Sequence, residues 1–343
     1  MMQSARGTPC TEPFGARKNA GFLRAPGVSA CAAPRAPENF RKETMKPQQL
    51  LAAVLLGLAA LAQTAHAEVV VTDDTGVVVR LAQPARRIVS LAPHVTESLF
   101  AIGAGERIAA TVDYSDYPEA ASKLPRVGGY SRLDLEAIAA QKPDLVIAWE
   151  SGNSKAHVEK LRALGLPLYV TQPNRIDDIA GALERFARLA GVQDSAAPVV
   201  AGFRARLDGL RARYAGRPKV RTFYQIWKQP LMTVGAPQII SDAIRLCGGD
   251  NVFGQLATMA PTVTVEAVIA ANPEVIVASG MGDSRPEWLD DWKRWTSITA
   301  VARDNLFFVP PELIQRHTPR LLDGAELLCR HLETARGRRP AGK

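Results

Sequence analysis

Leu133 to Ala148 of this chain, LDLEAIAAQKPDLVIA, recurs 130 positions later as VTVEAVIAANPEVIVA, from Val263 to Ala278. Five positions are identical, and nearly every other pair is a conservative exchange. In each copy a residue of the N-cap type precedes helical apolar spacing, a proline ends the helix, and an apolar run typical of a doubly buried strand follows. The repeat therefore predicts an α/β fold of two similar lobes with parallel-rich central sheets and a ligand cleft between them.

Alternating strand and helix patterns extend this prediction along the chain. The N-terminal lobe is assigned to residues 68–192, where a strand pattern at 87–91 precedes a helix predicted for 96–102. The C-terminal lobe is assigned to residues 218–338. Residues 193–217 have apolar side chains at spacings of three and four, which predicts one long, rigid connecting helix and only modest lobe motion.

The N-terminus carries a targeting signal. Residues 45–67 join a short basic start to an apolar stretch too short to span a bilayer, and they end on the small-x-small site Ala65-His66-Ala67. They are predicted to be a cleavable signal peptide, which indicates a soluble exported protein whose mature form begins near Glu68. Residues 1–44 are predicted to be a disordered or mis-started leader.

Charge and cysteine content agree with export. The 42 basic and 34 acidic residues of the chain include 8 and 3 in the first 67, so residues 68–343 carry a net charge of only +3. A net charge this small gives no electrostatic support to a role in nucleic-acid binding. Cys247 and Cys329, the two cysteines after the signal segment, are predicted to form a disulfide in an oxidising compartment, with two buried thiols as the alternative.

Catalysis is not indicated by the sequence. It has no phosphate-binding loop, no nucleophile elbow and no pair of catalytic carboxylates. Its histidines are not at short ligand spacing, so we expect no resident metal and no cofactor. His94 and His317 fall in loops predicted near the cleft, where one of them could ligate a haem iron or a corrin cobalt; a hydrogen-bonded surface histidine is the alternative.

Several segments resemble one known family in their order and spacing. The stretch RIVSLAPHVTESLFAIGA from Arg87, the stretch YSDYPEAASKLPRVGG from Tyr114 and the repeated helices resemble the periplasmic binding proteins of ABC importers for cobalamin, haem and iron-siderophores. The cobalamin-binding members are the most similar. The resemblance covers residues 86 to 335. It implies a non-catalytic protein, monomeric when free, that captures cobalamin and delivers this corrinoid to the permease subunits of an importer. The same architecture with haem or a ferric siderophore is the alternative, and an exported α/β enzyme is a weaker one.

The resemblance also implies which residues bind the ligand. Aromatic side chains in cleft loops and at strand ends would cover the macrocycle, and one segment of the second lobe would contact its fringe. These residues are Tyr114, Tyr130, Trp149, Trp227, Glu312, Leu313, Ile314, Gln315 and Arg316. The sequence departs from the family at Ala260, Leu313 and Ile314, where aromatic residues are usual. Packing against the core is the alternative role for Tyr114 and Trp149.

A pair of carboxylates marks the repeated helices. Glu136 and Glu266 stand at the same place in the two copies and match the glutamates with which the family docks arginines of its permease. Two equivalent lobes would then meet two equivalent permease subunits. The alternative is local: a glutamate in the first turn of a helix interacts favourably with the helix dipole, by about 0.3–1 kcal/mol.

Overall fold

Two sheets of mainly parallel strands, one in each lobe, organise the fold. The computed structural model describes residues 68–129, 131–280 and 284–340. The predicted leader, the predicted signal peptide and Tyr130 lie outside the described residues. Within the described residues, no helix is both long enough and apolar enough to cross a membrane.

The N-terminal lobe is built on a four-stranded sheet. Its elements are β1 (Val69–Thr72), β2 (Val78–Leu81), β3 (Ile88–Ser90), α1 (Pro93–Ala101), β4 (Ile108–Thr111), α2 (Glu119–Ser122), α3 (Leu135–Ala140), β5 (Leu145–Trp149), α4 (Lys155–Ala163), β6 (Leu168–Thr171) and α5 (Ile176–Ala190). The sheet has the order β4-β3-β5-β6, and every pairing in it is parallel. A separate antiparallel hairpin joins β1 to β2.

The C-terminal lobe follows one long helix, α6 (Gln193–Tyr214). Its elements are β7 (Val220–Trp227), β8 (Met232–Thr233), α7 (Ile239–Leu246), β9 (Gly249–Asn251), α8 (Val265–Ala271), β10 (Val275–Ala278), a 3₁₀ helix (Glu287–Arg294), α9 (Thr299–Ala302), β11 (Leu306–Phe308), α10 (Pro311–Ile314) and α11 (Leu321–Gly337). The sheet has the order β11-β10-β7-β8, and β9 also pairs with β7. Only the pairing of β8 with β7 is antiparallel.

The repeated segment occupies the same place in both lobes, which confirms the predicted fold class. Strand β5 lies between β3 and β6, and β10 lies between β7 and β11. The two helices also begin alike. The Asp134 carboxylate accepts a hydrogen bond from the backbone N–H of Ala137 at 2.9 Å, and the Thr264 hydroxyl accepts one from Ala267 at 3.2 Å. Each helix therefore has the side-chain N-cap that the sequence predicts.

Helix α6 is the link between the lobes. Its 22 residues extend about 33 Å at the usual helical rise. The helix buries an apolar face that includes Phe203, Leu207 and Leu210. Charged side chains on its flanks reach both lobes: Arg204 pairs with Glu184 in α5, and Arg206 pairs with Asp323 and Glu326 in α11.

Helix α1 begins earlier than the predicted range of 96–102. It starts at Pro93, a position where the missing backbone N–H costs nothing because the first turn has no acceptor for it. The extra turn places His94 and Glu97 on one helical surface, and both are buried, at 4% and 2% exposure. A polar face inside the protein indicates specific partners rather than core packing.

The predicted disulfide is present and lies in the C-terminal lobe. Cys247 follows α7, Cys329 lies in α11, and the bridge closes a sequence separation of 82 residues. Both cysteines are fully buried. Arg336 ties the same two elements together, because its guanidinium donates to the carbonyl oxygens of Cys247 and Gly248 at 2.8 and 3.1 Å.

Candidate ligand-binding site between the lobes

An aromatic cluster lies where the two lobes face each other. His94 belongs to α1, Trp149 ends β5, and His317 comes from the other lobe, just after α10. The ring centroids are 5.1 Å apart for His94 and Trp149, 5.1 Å for His94 and His317, and 5.9 Å for Trp149 and His317. All three pairs meet edge to face. The cluster lies near the carboxyl end of β5, the end at which open α/β sheets bind ligands.

Burial keeps the two imidazoles neutral. Lost hydration lowers the pKa of His94 well below its ordinary value, and repulsion by a protonated His317 and by Arg316 lowers it further. Burial lowers the pKa of His317 to about 4. Nε2 of His94 and Nδ1 of His317 have no hydrogen-bond partner among the described residues. Depending on the tautomer, each of these nitrogens can donate a hydrogen bond to a ligand that enters between the lobes, or accept one from it.

A buried carboxylate joins the lobes beside this cluster. Glu97 of α1 accepts hydrogen bonds from Nε and Nη2 of Arg320 at 2.7 and 3.0 Å, and from the Thr318 hydroxyl at 2.7 Å. Arg316 adds a cation 3.5 Å from the second carboxylate oxygen. A two-point arginine fork is the strongest common geometry for a carboxylate partner. Glu97 is therefore the main polar contact of the N-terminal lobe with the segment that follows α10.

Arg316 connects the same segment to the ligand loop, the loop at residues 113–117 that carries the predicted ligand contact Tyr114. Its Nη1 lies 2.7 Å from the Asp116 carboxylate, and its Nη2 donates to the backbone oxygen of Tyr114 at 3.2 Å. Burial alone would raise the pKa of Asp116, but the hydrogen bond and charge of Arg316 outweigh it and the pKa is lowered. Next to this contact, the Arg320 guanidinium lies 3.6 Å from the centre of the Tyr117 ring.

The predicted aromatic residues lie in different environments. Tyr114 is 65% exposed and has a left-handed backbone, with φ at +64°, which is uncommon for a tyrosine. Trp149 is partly buried in the histidine cluster. Trp227 is 39% exposed at the end of β7, and its indole N–H donates to the Gln229 carbonyl at 2.9 Å. Tyr114 and Trp149 thus belong to the lobe contact, while Trp227 follows a strand end of the second sheet.

The segment from Glu312 to Arg316 has mixed burial. Ile314 is fully buried in the core of the C-terminal lobe, while Leu313 is only partly buried. Gln315 donates from its amide to the Ser279 hydroxyl, just beyond β10. One carboxylate oxygen of Glu312 is buried without a hydrogen-bond partner among the described residues. This oxygen can accept a hydrogen bond from a ligand N–H group, but it repels an anion.

The two predicted docking carboxylates are solvent-exposed. Glu136 and Glu266 both lie in the first turn of their helices, and neither forms an ion pair with another described residue. A cavity of about 700 Å³ borders Glu136, with Asp113, Arg132 and Asp134 among its lining residues. The glutamates are therefore accessible to a partner from outside.

The sequence prediction did not include Glu97, Thr318 and Arg320, which the structure places at the contact between the lobes. Glu97 is a charged residue immediately before the largely apolar run SLFAIGA, and this was the one local signal that it has a buried partner. Its partners are 221 and 223 positions away, which no local pattern reveals. Within the described residues, no group of three or more His, Cys, Asp or Glu side chains is arranged to hold a metal ion.

The two-lobe architecture, the single connecting helix and the polar contact between the lobes define a ligand-binding protein that holds its ligand between α/β lobes. The sequence profile of the periplasmic binding protein family matches residues 88–313. The chain belongs to this family, whose members are binding proteins rather than enzymes.

Relatives with assigned ligands are similar over most of their length. The vitamin B12-binding protein of Vibrio parahaemolyticus is 35% identical over 260 residues, covering 75% of this chain and 93% of that protein. The vitamin B12-binding protein of Yersinia pestis is 36% identical over 251 residues, covering 73% and 88%. The crystal structure of the periplasmic vitamin B12 binding protein BtuF of Vibrio cholerae superposes with a TM-score of 0.69 at 35% identity, covering 74% of this chain and 98% of that one. The heme-binding protein RhuT of Roseiflexus, at 24% identity and a TM-score of 0.62, shares the fold and covers 73% of this chain and 99% of its own.

Proposed function

We propose that this protein captures cobalamin between its lobes in the periplasm and delivers it to the permease subunits of an ABC importer. Export would use the signal peptide expected at residues 45–67, and the free protein would be a monomer. Tyr114, Tyr130 and Trp149 on one lobe, with Trp227 and the Glu312–Arg316 segment on the other, would form the binding surface. Aromatic faces suit the apolar surface of a corrin, and polar groups suit its amide fringe.

The charges at the lobe contact are our reason for favouring cobalamin over an anionic ligand. Arg316 and Arg320 are already paired with Glu97 and Asp116. The two imidazoles beside them are neutral, and the unpartnered oxygen of Glu312 is an acceptor. An anionic ligand, such as haem with its two carboxylates, would bring negative charge to a contact where Arg316 and Arg320 are already occupied. Amide groups, in contrast, can donate to Glu312 and to an imidazole nitrogen.

Calorimetry on ligand-free protein tests this choice. Cyanocobalamin should bind at least about a hundredfold more tightly than haem or a ferric siderophore, since an uncompensated buried charge costs several kcal/mol and 1.4 kcal/mol is a factor of ten. The same three ligands should be titrated into a Trp149→Ala variant, which removes an aromatic face. Tight haem binding that is lost in His94→Ala or His317→Ala, without a cobalamin signal, would assign the ligand to haem instead.

Delivery requires a docking surface, and we assign it to Glu136 and Glu266. Both are exposed, both are free of ion pairs with described residues, and both lie on equivalent helix N-termini. A permease of two like subunits offers two equivalent cationic partners. Exposed ion pairs contribute only about 0.2–1 kcal/mol each, so their main effect is on the orientation of the bound protein.

The double variant Glu136→Ala with Glu266→Ala should reduce cobalamin uptake roughly two- to thirtyfold, the range for the loss of two exposed ion pairs. Its affinity for cobalamin should equal that of the native protein. Uptake into cells and calorimetry on the same purified variant are the paired measurements. A matched control is Glu159→Ala with Glu287→Ala, which also removes one exposed glutamate from each lobe. Unchanged uptake, or affinity that falls in parallel, would contradict the docking assignment.

A further inference from the structure

The ligand loop at Tyr114 is held by contacts that come from the opposite lobe. Two arginines of the segment after α10 reach it: Arg316 donates to the Tyr114 carbonyl at 3.2 Å, and Arg320 stacks 3.6 Å from the centre of the Tyr117 ring. Both arginines also approach Glu97, at 3.5 and 2.7 Å. Glu97 is thus the common partner of the two side chains that hold this loop.

The loop needs such support because its backbone is strained. Tyr114 has a φ of +64°, and an L-residue with a side chain in this region carries a cost that the surrounding structure must offset. Within the N-terminal lobe, the hydroxyl of Ser115 accepts a hydrogen bond from the Thr111 hydroxyl at 2.8 Å. From the C-terminal lobe, Arg316 is the described partner of the Tyr114 carbonyl. The position of the exposed Tyr114 ring therefore depends on the position of the Arg316 guanidinium.

Arg316 in turn is held by two carboxylates of the N-terminal lobe that differ in burial. The Asp116 side chain is 59% exposed, whereas the Glu97 side chain is only 3% exposed. Exposed ion pairs orient a side chain weakly, while a buried carboxylate that has lost its water requires its partners in place. Glu97 also receives Thr318 and Arg320, so it fixes the whole turn that carries Arg316.

We propose that Glu97 is the positioning residue of the binding site: through Arg316 it sets the backbone of Tyr114 and so presents that ring to the ligand. This inference rests on the proposed function and adds to it a residue that need not touch the ligand. It also changes the role of Arg316. Its side chain is 17% exposed, and its guanidinium is occupied by Glu97, Asp116 and the Tyr114 carbonyl. Arg316 thus orients an aromatic contact of the ligand.

A coupling experiment separates positioning from general damage to the fold. Glu97→Gln keeps the shape of the side chain but removes its charge, and should weaken cyanocobalamin binding about ten- to a hundredfold, the order found when one well-placed contact residue of a binding surface is lost. Tyr114→Ala should weaken binding by a similar factor. The double variant should bind no more weakly than Tyr114→Ala alone, because Glu97 acts through that ring. Glu119→Gln removes an exposed carboxylate near the same loop and should bind like the native protein.

A second variant and a ligand-free measurement keep the test decisive. Arg316→Lys retains a cation beside the carboxylates but loses the nitrogen that reaches Tyr114, and it should show the same coupling even if Glu97→Gln fails to fold. Backbone hydrogen exchange at residues 113–117 should accelerate in either variant and not in Glu119→Gln. Additive binding losses, native affinity in Arg316→Lys, or unchanged exchange would overturn the inference. A folded native protein that binds no cyanocobalamin would instead reject the proposed function, while the exchange result would still judge the positioning role.

Discussion

Replacing both bridged cysteines, as Cys247→Ala with Cys329→Ala, should lower the free energy of unfolding by about 4–5 kcal/mol. In the chain-entropy model a cross-link restricts the unfolded chain according to the length of the loop that it closes, and the separation here is 82 residues. Alanine is the suitable replacement because both side chains are fully buried and it adds no polar group to the core.

Urea unfolding of the native and double-variant proteins measures this effect. Reduced native protein is the matched control, since it loses the cross-link but keeps the sulfur atoms in the core. Arg336 still joins the Cys247 and Gly248 carbonyls to α11, so the variant should fold. A loss below about 1 kcal/mol would indicate that the unfolded chain is already compact without the bridge.

Acid should destabilise the lobe contact in a defined pH range. His94 and His317 are neutral when folded because burial lowers the pKa of each, that of His317 to about 4. In the unfolded chain both titrate near 6.5. As the pH falls from 6.5 towards 4, the unfolded state binds protons that the folded state does not, so stability decreases. For His317 alone the loss at pH 4 relative to pH 7 is about 3 kcal/mol.

The variant His317→Gln isolates this contribution. Its free energy of unfolding should fall less steeply between pH 6.5 and 4 than that of the native protein, whatever its stability at pH 7. The lowered pKa of Asp116 acts at more acidic pH, because its stabilising charge is lost only below its ordinary value of 3.8. Denaturant unfolding at several pH values gives both slopes. Equal slopes for the two proteins would show that His317 has the same pKa in the folded and unfolded states.

Local patterns predicted the framework of the fold well. The repeat correctly predicted helices α3 and α8 with their N-caps, and strands β5 and β10. These predictions succeeded because N-cap residues, prolines and apolar runs are all local signals. The start of α1 was wrong by one turn, since a proline at the first helical position looks like a helix breaker. The short strands β8 and β9 were missed. They have two and three residues, and their strand conformation depends on pairing with β7 rather than on their own sequence.

The candidate binding site was predictable only in part. Its exposed aromatic candidates came from resemblance, and the position of Trp149 at a strand end came from the alternation of strands and helices. The contact of Glu97 with Thr318 and Arg320 joins residues more than 200 positions apart, and its existence depends on how the lobes pack. A buried charge can be suspected from sequence, but its partner is a property of the tertiary structure.

The connecting helix has a thermodynamic consequence. Helix α6 packs on α5 and α11, and its arginines form ion pairs with both, so it is braced along its length by the two bodies that it joins. A large swing of one lobe would break those pairs together. The ion pairs of α6 therefore hold the lobes against a large swing before a ligand arrives, so little chain entropy remains to be lost on association. We therefore expect most of the free energy of the ligand contacts to contribute to affinity. Differences in affinity between variants should arise mainly from the dissociation rate.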